Sequence, residues 1–237
     1  MSDTIHYPCY KDFDPFIDVA RLRSLDGYIR ERLEPRLRAS RDLKFYTGPF
    51  LLDEAAPTLP GSRMVYLSRS RREDNYYDLD RTELWEPSEE AGEFAELMAF
   101  IATLPFKATG RMLIMYDDSG RAVSAHRDHD SADHCHEFVW FRTNFDKPFY
   151  MLNPDSGEKC YVRSHAAWFD TVNQYHGADA SRGLAFSIRV DGIFSDAFRA
   201  QFPSVEPARA AAIPAVWAQQ DRLHPRLAGA NRDRHFA

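Results

Sequence analysis

The sequence predicts a mainly β protein with flanking helices, built on a double-stranded β-helix, the cupin-like jelly roll. Two observations carry that expectation. From Lys107 onward the chain becomes a series of short apolar or alternating runs separated by turn residues, the texture of an all-β sandwich or barrel. The runs number about eight, which suits a jelly roll. Before Lys107 the texture is mixed, with helical periodicity as well as short extended runs.

The elements follow in chain order. Asp18 to Arg38 carries Val19, Leu22, Leu25, Tyr28, Ile29 and Leu33 among charges, a helical spacing interrupted by Pro35, so one helix or two short ones are expected. Lys44 to Leu52 and Arg63 to Leu67 read as strands, separated by the Pro/Gly-rich stretch Pro57 to Gly61. The arginine-rich Ser68 to Asp74 (SRSRRED) reads as an exposed loop. Ser88 to Leu104 is the clearest helix. Acids follow Ser88 at its start, Phe94, Leu97, Met98 and Ile101 share one face, and Pro105 lies just past its end.

The expected strands are Arg111–Tyr116, Ala122–Arg127, Glu137–Asn144, Phe149–Leu152, Lys159–Val162, Ala166–Phe169, a strand approaching His176, and Leu184–Val190. Turn residues separate them at Asp117–Gly120, Asn144–Pro148, Asn153–Gly157 and Asp179–Gly183. After Phe202 the chain is rich in Ala and Arg with Pro203, Pro207 and Pro214, so at most a short helix around Ala215 to Leu223 and a poorly ordered tail are expected. The domain reading is a single unit over 1–237. Its parts are N-terminal helices and supporting strands over 1–105, a jelly-roll core over 106–195, and a helical or extended tail over 196–237.

Composition narrows the function. Lys+Arg 30 against Asp+Glu 36 gives a formal charge of −6 without a dense basic block, which argues against a nucleic-acid partner. Cys9, Cys135 and Cys160 are an odd number without paired spacing, so neither a disulfide framework nor a thiolate zinc site is expected. The N-terminus lacks the pattern of a signal peptide, and no apolar run approaches the ~20 residues that span a bilayer. A soluble protein of the reducing cytoplasm is expected, with no membrane partner; oligomeric state is not readable.

The chemistry-bearing motif is His126-Arg127-Asp128. Residues two apart on a strand point to the same side, so His126 and Asp128 can grip one metal ion. A third ligand, for which His176 is the best candidate, completes a two-His-one-carboxylate facial triad with open positions, characteristic of non-haem Fe(II) oxygenases. On the strand Leu184 to Val190, Leu184, Phe186, Ile188 and Val190 form an apolar face, while Ala185, Ser187 and Arg189 form the other. Arg189 is then placed to pair with the distal carboxylate of an oxo-acid cosubstrate. Arg182 is a reserve candidate, although it lies in a turn. Arg127, His129, Asp130, His134, His136 and Arg142 crowd the same region and read mainly as solvated surface; Trp140 and Trp168 read as core.

Three stretches carry a family resemblance: Gly110–Asp130 (GRMLIMYDDSGRAVSAHRDHD), Phe138–Leu152 (FVWFRTNFDKPFYML) and Ala166–Gly192 (AAWFDTVNQYHGADASRGLAFSIRVDG). Together they resemble the Fe(II)/2-oxoglutarate-dependent oxygenases, in particular the aspartyl/asparaginyl and prolyl hydroxylase-like branch, over roughly Pro105 to Gly192. The resemblance implies iron ligands His126, Asp128 and His176 and a 2-oxoglutarate partner at Arg189. Arg182 and Arg142 are alternatives for that arginine, and Ser187 and Asn173 assist. It also implies a hydroxylase that couples oxidative decarboxylation of 2-oxoglutarate, with O2, to attack on a C–H bond of a small molecule, releasing succinate and CO2. An amino acid or amino-acid-derived metabolite is the expected substrate class. Two other readings stand beside it. A cupin-type metal enzyme without 2-oxoglutarate would draw ligands from His134 and His136 with Glu137 nearby, and a non-catalytic jelly-roll binding protein would use none of them.

Overall fold

The computed structural model describes residues 9–39, 62–72, 79, 81–129, 132–133, 136–202 and 207–236. The expected strand Lys44 to Leu52 and the turn Pro57 to Gly61 lie outside the described residues, as do Asp130, His134 and Cys135. The chain opens with β1 (Lys11–Asp12), α1 (Val19–Ser24) and α2 (Asp26–Ala39), followed by β2 (Ser62–Tyr66), β3 (Ser68–Ser70), β4 (Trp85–Pro87), α3 (Glu90–Glu93) and α4 (Ala95–Ile101). The strand-rich part comprises β5 (Phe106–Asp117), β6 (Val123–His126), β7 (Phe138–Phe141), β8 (Phe149–Leu152), β9 (Lys159–Tyr161), β10 (Ala166–Trp168), β11 (His176–Ala178) and β12 (Ala185–Phe194). Three helices follow: α5 (Asp196–Arg199), α6 (Pro207–Leu223) and α7 (Pro225–Phe236). No described helix is long and apolar enough to cross a membrane.

The strands form a six-stranded sheet in the order β1-β10-β7-β12-β5-β2 and a four-stranded sheet in the order β6-β11-β8-β9. From β5 to β12 the chain passes repeatedly between the two sheets, and all their pairings are antiparallel. That winding is the double-stranded β-helix. Cross-strand partners share a face, so the registers sort the side chains. Phe141, Ile188 and Ile114 are partners across β7, β12 and β5. Phe100 of α4 meets Phe141 at 5.6 Å between ring centroids, which puts the helices on that face of the larger sheet. Leu22, Ile29, Leu33, Leu97 and Ile101 complete the buried cluster there. Trp140, Arg189 and Leu113 are partners on the opposite face, which looks inward at the smaller sheet. Trp140 meets Phe149 of β8 at 4.9 Å across that interior. The apolar face of Leu184 to Val190 therefore packs under helices, and Arg189 faces the barrel interior.

Several local expectations change. Ser68 to Ser70 is not exposed loop but a strand paired with β4. Ser68 is buried and its Oγ accepts the Met112 N–H at 2.7 Å, while Arg69 and Arg71 both bind Glu86. A serine that bonds the neighbouring backbone replaces the apolar residue that a pattern search looks for. Pro35 lies inside α2, and the break between helices falls at Leu25 instead. The helix expected over Ser88 to Leu104 divides at Phe94 into α3 and α4, and Ser88 Oγ accepts the Ala91 N–H. The largest change is in the tail, where two helices replace one short one. Pro207 and Pro225 are the first residues of α6 and α7, positions where proline favours a helix because its missing N–H has no partner there anyway. Pro214 is accommodated within α6.

Gly192 marks a register shift between β12 and β5, and a Cβ there would lie 2.4 Å from the Ala108 carbonyl oxygen and 2.9 Å from the Phe106 ring. Gly192→Ala is expected to destabilise the fold by about 1–3 kcal/mol or more through overpacking, seen as a lower urea midpoint with unchanged slope. An unchanged midpoint would contradict this close approach.

Candidate metal centre

His126 and His176 are cross-strand partners at the antiparallel β6–β11 pairing, so both imidazoles project to the same side. The pairing needs close packing on the other side. A Cβ on Gly177 would lie 2.7 Å from both the Tyr150 hydroxyl and the Val123 carbonyl oxygen, which explains the glycine directly after His176. Beyond the end of β6 the Asp128 N–H donates to the Thr171 carbonyl at 2.9 Å, which ties this stretch to the turn before β11. Asp128 thereby joins the two histidines, and Arg127 between them is buried elsewhere.

The imidazole orientations are fixed from behind. His126 Nδ1 lies 2.8 Å from the Ser124 carbonyl and His176 Nδ1 lies 3.2 Å from the Gln174 carbonyl. A carbonyl only accepts, so Nδ1 carries the proton in each ring and Nε2 keeps its lone pair for a metal. The two Nε2 atoms lie 3.7 and 3.5 Å from Asp128 Oδ1, and one ligand atom from each residue can be chosen so that all lie within 4.8 Å of one another. Among the described residues this is the only cluster of three or more His, Cys, Asp or Glu side chains able to hold a metal. Burial raises the Asp128 carboxyl pKa, but His176, then His126 and Arg189, outweigh it and hold the group well below its ordinary value. The side chain keeps 37% exposure, so solvent screens part of that attraction.

Next to the cluster is an ionic wall. Arg189 donates through Nε to Asp191 Oδ1 at 2.9 Å, stacks over the Phe138 ring at 4.0 Å, and brings Nη1 to 3.8 Å from Asp128 Oδ2. Arg111 donates through Nε to the other Asp191 oxygen at 3.0 Å. Asp191 is fully buried, which is tolerable for a carboxylate with two guanidinium partners. Burial pushes the Arg111 pKa down, yet Asp191, Tyr66 and Asp128 together leave it raised. Ser187 lies two residues before Arg189 on the same strand, opposite Met115.

The other expected cosubstrate residues have different surroundings. Arg182 is exposed in the turn before β12. Arg142 is buried, donating to the Val162 and Lys147 carbonyls, and burial pushes its guanidinium down to about 10. Asn173 is fully buried, and its side chain is committed to Asp170, the Asp133 carbonyl and the Trp217 indole N–H. The reading of Arg127 and Arg142 as solvated surface is therefore corrected: each is almost wholly buried and stacked on aromatic rings. Of the competing metal set, His134 lies outside the described residues, the His136 carbonyl accepts the Trp168 indole N–H, and Glu137 is held by Arg199 and the Phe194 N–H.

Sequence reasoning missed Asp191 and Arg111 as parts of this region, and placed Arg127 in it as surface although it is buried. Strand alternation alone would have placed Asp191 beside Arg189 and Arg127 opposite the two ligands. Trp217 and Asp221, the partners of Arg127 on α6, fall within the short helix expected around Ala215 to Leu223, but nothing local in the sequence places that helix against β6.

No family model matches the chain, and no curated protein matches it. Among solved structures it is similar to a prolyl-4-hydroxylase from Pseudomonas putida, at 11% identity, 79% of this chain, 92% of that chain and a TM-score of 0.43. It is also similar to a prolyl hydroxylase from Trichoplax adhaerens in complex with a hypoxia inducible factor oxygen degradation domain peptide fragment, at 11% identity, 82% and 87% coverage and a TM-score of 0.44. A third is a 2OG-Fe(II) oxygenase family oxidoreductase from Burkholderia pseudomallei, at 11% identity, 55% and 66% coverage and a TM-score of 0.35. At such distances the activity has to be argued from the side chains.

His126→Ala and His176→Ala should each weaken Co(II) binding on the order of 100-fold or more, beyond what loss of a supporting residue costs, whereas His136→Ala should not; equilibrium competition with a chelator measures this. In the metal-free protein, the stability conferred by ionised Asp128 is present above its unfolded-state pKa and is lost as pH falls through the lower native value. The stability advantage of wild type over Asp128→Asn should therefore shrink as pH falls through that acid window, as followed by urea unfolding.

Proposed function

We propose that this protein is an Fe(II)- and 2-oxoglutarate-dependent dioxygenase that hydroxylates an unactivated C–H bond of a small molecule, releasing succinate and CO2. The observation that carries the reading is the convergence of His126 Nε2, His176 Nε2 and Asp128 on the wall of a jelly-roll interior, with Arg189 alongside. Two imidazoles and one carboxylate fit Fe(II) and leave three coordination positions for a chelating oxo-acid and O2.

The charge balance supports the same pair of groups. Arg111 and Arg189 cancel Asp191 and Asp128, so Fe(II) adds two positive charges, which the two carboxylates of 2-oxoglutarate neutralise. When bound, the iron and cosubstrate supply O2 activation coupled to decarboxylation. In this reading His126, Asp128 and His176 hold the metal, their Nδ1–carbonyl bonds fixing ring orientation. Arg189, aligned by Asp191 and assisted by Ser187, takes the distal carboxylate of 2-oxoglutarate. Phe138, Trp140, Phe149 and Phe169 form an apolar wall that keeps bulk water from the reacting centre. The proposed substrate class, an amino acid or amino-acid-derived metabolite, is carried by the sequence resemblance alone.

Anaerobic addition of Fe(II) and then 2-oxoglutarate should produce the visible charge-transfer band of the chelate. Arg189→Met should weaken 2-oxoglutarate about 10–100-fold, the loss of a hydrogen bond to a charged group, while Fe(II) still binds through His126, Asp128 and His176. Folded, iron-loaded wild-type protein that gives no band would sink the proposal.

A further inference from the structure

The residues adjacent to the metal ligands in sequence, Arg127 between His126 and Asp128 and Tyr175 immediately before His176, have partners of their own. Arg127 is 2% exposed and Tyr175 is fully buried. The Arg127 guanidinium lies 4.4 Å from the Tyr175 ring centroid and 3.4 Å from that of Trp217. Its Nη2 is 2.9 Å from Asp221 Oδ1, and the same oxygen accepts the Tyr175 hydroxyl at 3.2 Å. Gln220 adds two bonds, its Oε1 accepting the Tyr175 N–H at 3.0 Å and its Nε2 donating to the Asn173 carbonyl at 2.7 Å.

Trp217, Gln220 and Asp221 are spaced i, i+3, i+4 and so share one face of α6. One helix face thus engages both ligand-bearing segments at the residues next to the ligands. We infer that Arg127 is a positioning residue through which α6 sets the separation of His126 and Asp128 from His176, and so tunes metal affinity from outside the barrel. The inference rests on the metal-centre reading. A planar guanidinium suits the role because it can stack between two rings while its edge binds a carboxylate, which a lysine ammonium cannot do. Such a contact acts on the metal as supporting residues do, by fixing ligand orientation, and its loss is expected to cost about 10–100-fold in affinity.

The test uses the full chain and Co(II) as probe, reading both the dissociation constant and the d–d absorption spectrum, alongside the melting temperature of the metal-free protein. Arg127→Met, Trp217→Ala and the milder Asp221→Asn should each weaken Co(II) binding and alter the spectrum, while Trp217→Phe, which keeps a ring, should restore most of the affinity. Phe198→Ala serves as the control. Phe198 packs in an aromatic cluster with Phe13, Phe194 and Phe202, so its loss should lower the melting temperature without changing Co(II) affinity. Wild-type affinity and spectrum in the first three variants, or a comparable loss of Co(II) affinity in Phe198→Ala, would overturn the inference. Failure of wild type itself to bind Co(II) would instead remove the metal centre on which it stands.

Discussion

The β6–β11 pairing is the constraint on which the rest depends, because it sets His126 directly across from His176 in the smaller sheet. Strand pairing permits only discrete registers, and a shift of one residue would turn one imidazole to the opposite face. Gly177 and Tyr150 lie close against this pairing, and Asp128 is tied to Thr171 just beyond it. The geometry of a three-residue cluster is thereby fixed by backbone bonds rather than by the cluster itself. That matters because two imidazoles and a carboxylate offer little cohesion of their own until a cation joins them.

Charge is managed in two layers. Within the barrel, Asp191 holds Arg111 and Arg189 together, so the arginine nearest Asp128 is oriented by a buried carboxylate. Outside it, Asp221 neutralises Arg127 against the back of the ligand strands. A buried guanidinium left alone would be costly, and each of these is paired, stacked on an aromatic ring or both. Asp128 faces inward between these two arrangements, where an ionised carboxylate can take a metal.

Much of the barrel was legible because alternation and turn residues are local signals. The two faces of Leu184 to Val190 were readable from one heptapeptide, and the structure places its apolar face under helices and Arg189 inside. The His126, Asp128 and His176 cluster was legible from the two-residue spacing of the first pair, with His176 as the candidate third ligand that the resemblance then also implied. What was hidden depends on contacts distant in sequence. Ser68 is strand-forming because it bonds Met112, α6 begins as early as Pro207 and runs through Pro214, and Arg127 is buried because α6 covers it. Proline carried two meanings, and only the positions of Pro207 and Pro225 at the first turn of their helices decide between a break and a start.

The central claim is that two imidazole nitrogens and one carboxylate hold Fe(II) and leave the other positions open. X-ray absorption at the iron edge of the Fe(II)-loaded protein tests it most directly. The account predicts a six-coordinate site with two imidazoles and otherwise oxygen donors, reduced to one imidazole in His176→Ala. A sulfur donor, three or more imidazoles, or an unchanged spectrum in that variant would contradict it.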